Sequence, residues 1–259
     1  SIYAKKVYNG VRTPKPETVL TEAPNIKPWP EMGTMPEHLL VKLCSYIDDE
    51  VTTTDELIPS GDTSSYRSNP IQMADFTLYR RDPAYVSEAR AVQEMERRRE
   101  LGEAVWDQGE LKKVWESLLS RGPVARKTPE GIGIGSAIYA RRPGDGSARE
   151  QAASCQRVLG GAANLTESYA TRRYRANLIN WGILPFELKH AKDKTLFCKG
   201  SYLFIPDVRK GIEEGAEEFP AYLAGDSIRK IELTVGSLSK KEREILAAGC
   251  MINFYRNKK

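Results

Sequence analysis

The chain has 259 residues, is 40% hydrophobic, and carries 39 basic against 35 acidic side chains for a net charge of +4. That is apolar material for one large or two small cores, and a mixed surface that suits small anionic ligands and argues against a strongly basic nucleic-acid face. No run of eighteen apolar residues and no basic-then-apolar leader occurs, so neither a membrane span nor a secretory signal is expected, and the reading is cytoplasmic.

Residues 1–36 hold six of the fifteen prolines, Pro14, Pro16, Pro24, Pro28, Pro30 and Pro36. Proline removes an amide donor and fixes φ, so this stretch reads as an extended linker lying against a partner, with Ile26 and Trp29 as anchors. A start at Ser1 reads as a fragment or a trimmed product. Residues 39–47 form a short apolar run, a buried strand by length and flanks. A threonine-rich loop, VTTTDELIPSG, follows at 51–61; Asp55 taken alone is a turn or cap residue there. In the polar loop GDTSSYRSNP at 61–70, Arg67 taken alone is a surface arginine.

Residues 84–121 are highly charged and helical in pattern. Val86, Ala89, Val92 and Met95 mark one side of a helix over 85–101. Leu111, Val114, Trp115, Leu118 and Leu119 recur at helical spacing, a core stripe rather than a cofactor box. Arg97, Arg98 and Arg99, like Arg172 and Arg173, read as solvated helix faces.

The apolar run at 132–139 predicts a strand, and 149–159 a helix. Between them lies Gly144-Asp145-Gly146-Ser147-Ala148-Arg149-Glu150. Two glycines allow a sharp bend. Ser147 would then stand at a helix mouth beside free amides and Arg149, a good cradle for a carboxylate. The same residues spell S-x-x-E, the capping box that merely starts a helix. Further on, Gly160 and Gly161 end the helix, 162–165 reads as a strand, and 168–181 as a helix closed by Gly182. Strands are expected over 196–205 and 228–235. Ser239 and Glu242 form a second S-x-x-E, read as a plain cap of a terminal helix containing Ile245, Leu246, Ala248 and Met251. The cysteines Cys44, Cys155, Cys198 and Cys250 lie far apart without a C-x-x-C pair, against both a disulfide framework and iron–sulfur spacing.

GDGSAREQAA followed by VLGGAANLTESYATRRYRANLINWGILPF resembles the C-terminal swivelling domain of the aconitase family. That family carries G-S-S-R-E-H-A, a Leu-Gly-Gly step, an N-L pair and a G-(L/I)-L-P close in this order. The resemblance covers roughly 37–75 and 125–259, and the 25–43 stretch resembles the segment joining the cluster-bearing part to the swivelling domain. It implies an α/β fold, a β/β/α swivelling domain with a mixed sheet and flanking helices over 37–259, preceded by the linker at 1–36 and carrying a charged helical insertion at about 84–121.

The resemblance also implies a hydro-lyase half-site. Ser147 matches the serine base, Asp55 an active-site aspartate in the T-T-D-H-I-S loop, and Arg67 and Arg149 the carboxylate-binding arginines. Ala148 stands where the family has a second, substrate-orienting serine, Gln151 where it has histidine, and Glu56 where a histidine follows the aspartate. The family's [4Fe–4S] cluster would come from absent N-terminal domains, in the same polypeptide or in a separate large subunit. The implied substrate is a di- or tricarboxylic hydroxy acid. Alternatives are a free-standing small subunit of an isopropylmalate- or homoaconitate-type dehydratase, and a non-catalytic or RNA-binding relative.

Overall fold

A strand buried on both faces reads as a continuous apolar run, and β1 (His38–Ile47) is one. Leu39, Val41 and Leu43 enter one hydrophobic cluster, while Leu40 and Cys44 on the opposite face enter another. In the computed structural model, which describes residues 16, 17, 19, 21–121, 128–225 and 227–258, β1 lies beside β3 (Ile132–Ala140). β5 (Gly161–Thr166) and β6 (Leu184–Leu188) extend the parallel run. Antiparallel β9 (Arg229–Thr234), β8 (Glu218–Ala224) and β7 (Tyr202–Ile205) then close it into a barrel in the order β1-β3-β5-β6-β9-β8-β7. The expected mixed sheet with helices is present, in this closed form.

Parallel neighbours need crossovers. Helix α5 (Arg149–Val158) joins β3 to β5, and α6 (Arg172–Asn180) joins β5 to β6. After β1 come the two-residue strand β2 (Thr52–Thr53), α1 (Thr54–Leu57) and α2 (Pro70–Ala74). Strand β2 pairs in parallel with β4 (Pro143–Asp145). The charged stretch forms α3 (Tyr85–Glu100) and α4 (Gly109–Arg121). It does not stand apart from the sheet: Gln93 Nε2 donates to Val158 O at 2.8 Å, and Glu96 accepts from the Ile134 amide at 2.9 Å. Leu111, Val114, Trp115 and Leu118 are buried as the stripe requires, but Leu119 is exposed.

Other expectations change. The strand at 196–205 shortens to β7, because residues 191–196 wind into a 3-10 turn and the Cys198 amide donates to Ser201 Oγ. The helix at 168–181 begins only at Arg172, where Thr171 Oγ1 accepts from the Tyr174 amide. Strands β6 and β8, with α7 (Val208–Glu214) between β7 and β8, were not foreseen; Pro185 and Pro220 sit inside those strands. The terminal helix divides into α8 (Lys240–Ala247) and α9 (Met251–Arg256).

That division has a cause in the proline-rich segment. A Cβ on Gly249 would overlap the carbonyl oxygen of Gly33, so the break admits a passing strap of backbone. Asn253 Nδ2 donates to Met32 O at 2.8 Å, Arg157 to Gly33 O at 2.8 Å, and Arg209 to Met35 O at 3.0 Å. Trp29 packs on Trp181 with ring centroids 4.5 Å apart, yet it is as exposed as Ile26, at 39% and 40%. Residues 21–36 carry neither helix nor strand; residues 1–15, with Pro14, lie outside the described residues. Among the described residues no helix is long and apolar enough to cross a membrane.

Candidate functional site

The loops that leave the carboxyl ends of the parallel strands β1, β3 and β5 emerge at one end of the barrel, and the first two carry residues singled out in the sequence. The β1 end leads into Thr52–Asp55, the β3 end into Pro143–Ser147, and the β5 end into Thr171–Arg173. Backbone bonds tie them side by side: Arg141 N–H donates to Ile47 O, Glu167 N–H to Arg141 O, and Ala170 N–H to Pro143 O.

The glycine turn is shaped by close approach. Gly146 has φ of +130°, and a Cβ there would overlap the Thr54 hydroxyl. Gly144, at φ +101°, presses against the Tyr174 side chain, where an added Cβ would come within 2.5 Å. Thr171 Oγ1 donates to Gly144 O at 2.9 Å, which bolts the start of α6 to the turn. Beneath them Gln156 Nε2 donates to the Tyr174 hydroxyl, that hydroxyl donates to Asn164 Oδ1, and Asn164 Nδ2 donates back to Gln156 Oε1, at 2.7–3.0 Å. This closed, buried ring satisfies its polar groups and locks α5, α6 and β5 together.

Three S/T-x-x-E sequences occur near helix starts, and they behave differently. Thr53 and Glu56 form a full capping box on α1, which gives the glutamate at that position a structural task. Ser239 and Glu242 do the same on α8. At the third, the N-cap of α5 is Ala148 with no side-chain bond, and among the described residues Ser147 Oγ, which is exposed, has no hydrogen-bond partner. Glu150 Oε1 instead accepts from Trp181 Nε1 at 3.0 Å. The capping reading of Ser147 is therefore set aside, and the first amides of α5 are left open beside its hydroxyl.

Ser147, Arg149, Glu150, Arg173, Ala176 and Asn177 line one open depression of about 310 Å³. Among the described residues neither Arg149 nor Arg173 has a carboxylate within ion-pairing distance, whereas Arg97, Arg98 and Arg99 are each paired with a glutamate. Arg173, read from sequence as part of a solvated face, was missed. The usable signal was the spacing Arg173, Ala176, Asn177, which puts three side chains on one face of α6.

The remaining predicted residues are placed as follows. Ala148 does not line the depression; its methyl packs against the core. Asp55 is exposed on α1, where its Oδ1 accepts from the Ser60 amide at 3.2 Å and its Oδ2 lies 3.9 Å from Arg80. Arg67 is exposed at the end of the 3-10 turn Ser64–Tyr66, outside the depression and, among the described residues, without a side-chain partner.

An iron–sulfur cluster needs several thiolates converging on one point. Cys44, Cys155 and Cys250 are buried and Cys198 is exposed. Burial, the largest influence on each, pushes the Cys44 and Cys155 thiols up to about 12, so both are protonated at neutral pH. Among the described residues the group with metal-binding chemistry is Glu37, His38 and Asp207, without a cysteine and at the amino end of β1. There His38 Nδ1 already accepts from the Asp207 amide at 2.8 Å. The chain's own residues do not fit a cluster.

Residues 137–191 match the aconitase C-terminal domain family. The matched segment contains the glycine turn, Ser147, Arg149 and Arg173. No curated protein matches the chain. Among 14 matching chains of solved structures is a 3-isopropylmalate dehydratase from Methanocaldococcus jannaschii, 21% identical with a TM-score of 0.48, over 85% of this chain and 95% of that one.

Proposed function

We propose that this chain supplies one half of the active site of an aconitase-type hydro-lyase acting on a di- or tricarboxylic hydroxy acid. The observation that carries the reading is the unengaged Ser147 hydroxyl at the mouth of α5, beside two free guanidinium groups and inside the family-matched segment. Dehydration removes a proton from a carbon next to a carboxylate and hydroxide from the neighbouring carbon, leaving a double bond. Ser147, as its alkoxide, takes the carbon-bound proton onto Oγ. A neutral serine is a very weak base, so the charged form needs stabilising, and the open amides of α5 with the Arg149 guanidinium supply this.

Arg149 grips one substrate carboxylate through its planar fork, and Arg67, free on its loop, grips a second. Ala148 contributes only its backbone amide, since its methyl is turned to the core. Asp55, across the β2–β4 pair, is the acid–base group of the facing loop and also keeps its bond to Ser60. The family's [4Fe–4S] cluster supplies Lewis-acid chemistry at the departing hydroxyl. Its ligands come from elsewhere, in the same polypeptide or a separate large subunit. The test is Ser147→Ala in the assembled enzyme: kcat falls at least a hundredfold with KM little changed. Turnover near that of the unaltered enzyme would remove the serine from the reaction. The chain without its cluster-bearing partner turns over no substrate.

A further inference from the structure

The depression beside Ser147 has a chemical character that narrows the substrate. Of its six lining side chains two are arginines, one is an asparagine and one a serine, and only Ala176 is apolar. Glu150 is also there, but Trp181 Nε1 holds its carboxylate, so the two guanidinium groups outweigh it. Arg173 is not a loosely hung surface group at its backbone. It lies two residues past Thr171, whose hydroxyl donates to Gly144 O and accepts from the Tyr174 amide, and Tyr174 itself fills the space under Gly144. The start of α6 therefore holds a fixed position relative to the Ser147 turn. On the same helix face, one turn on, Asn177 adds a neutral polar group.

We propose that Arg173 is a specificity-determining residue, selecting a substrate that carries a further carboxylate on the arm away from the reacting carbons and discriminating against an alkyl group there. The proposal rests on the hydro-lyase reading and deepens it. An alkyl arm gains affinity only by burying its carbons against apolar side chains, and here it meets a single alanine methyl. A carboxylate arm meets an unpaired guanidinium able to donate two parallel N–H bonds, and an amide beside it.

The full chain is titrated with propane-1,2,3-tricarboxylate and with 2-isopropylsuccinate, and binding is followed by calorimetry and by the arginine side-chain NMR signals. The tricarboxylate binds at least tenfold more tightly and shifts the Arg149 and Arg173 signals. Arg173→Gln, at an exposed position where folding is not at stake, reduces that preference to within about twofold, and Arg173→Lys restores only part of it. Equal binding of the two acids, preference for the alkyl acid, no binding of either, or full preference retained in Arg173→Gln overturns the proposal. Failure of the hydro-lyase reading looks different: Ser147→Ala leaves kcat of the assembled enzyme unchanged while the carboxylate preference of the isolated chain persists.

Discussion

Glu150 Oε1 accepts a 3.0 Å hydrogen bond from Trp181 Nε1 and makes no capping bond back to Ser147, the residue with which it spells a capping box. A glutamate returning to Ser147 would draw the serine hydroxyl onto the Glu150 amide, as happens at Thr53–Glu56 and Ser239–Glu242. The indole thus keeps the serine available. Trp181→Phe removes the donor and lets the box form. A cap of this kind is worth about 1 kcal/mol, enough to sequester the hydroxyl about fivefold. In the assembled enzyme kcat falls by about that factor, exchange of the Glu150 amide slows, and Glu150→Ala on the same background restores turnover. If the double variant stays as slow as the single one, the indole acts in some other way.

The contact between Gly146 and Thr54 leads to a stability prediction. Gly146→Ala places a side chain at φ +130° and on top of the Thr54 hydroxyl. Strained backbone of this sort costs about 1–3 kcal/mol, and each kcal/mol lowers Tm by about 2–4 °C in a chain of this size. Thr54→Ala on the Gly146→Ala background relieves the overlap but not the backbone strain, so it recovers only part of the loss. Calorimetry reads both; full recovery would mean that the overlap alone mattered.

The strap gives a third. Asn253 Nδ2 donates to Met32 O at 2.8 Å and to Ala248 O at 3.0 Å. Asn253→Ala leaves both carbonyls short of a donor, at a cost of about 1–3 kcal/mol. With the strap loosened, Trp29 separates from Trp181. The expected signs are a lower Tm, a red shift of tryptophan emission, and faster proteolytic cutting between residues 21 and 36. Unchanged emission would show that Trp29 holds its place without Asn253.

Much of this architecture is readable in the chain, and what is not has identifiable reasons. β1 and β3 announce themselves because both their faces are buried, so their apolar runs are unbroken. Ser239–Glu242 is legible because a capping box is closed within four residues. The identical pattern at Ser147 cannot be decided locally, since the competing donor, Trp181, lies 31 positions beyond Glu150. Arg173 looks like any exposed helical arginine until Thr171 is seen fastened to Gly144. Strands β6 and β8 escape notice because Pro185 and Pro220 break the usual strand signal, while the barrel accommodates both. The break between α8 and α9 is legible only once Gly33 is seen crossing Gly249.

A ring of charge at the carboxyl end of the strands sets a pH dependence. Glu167 accepts from Arg141 Nε at 3.3 Å and lies 2.9 Å from Lys194 Nζ, which also reaches Asp48 at 2.7 Å. Burial, the largest single influence, raises the Glu167 carboxyl, but the bonds from Lys194 and Arg141 together outweigh it and hold the group below the usual glutamate range. The folded chain therefore binds this proton less readily than the unfolded one. The resulting stability is fully present above the ordinary glutamate value of about 4.3 and is lost as pH falls through the lower folded value. Glu167→Gln should be less stable than the unaltered chain at pH 6 by about 1–2 kcal/mol. The gap should narrow by pH 3.5, because the unaltered chain loses its charge pairing there while the amide never had it. Urea unfolding at the two pH values measures this directly. A gap of the same size at both would mean that Glu167 contributes through shape and neutral hydrogen bonding, and that the ring is indifferent to its charge.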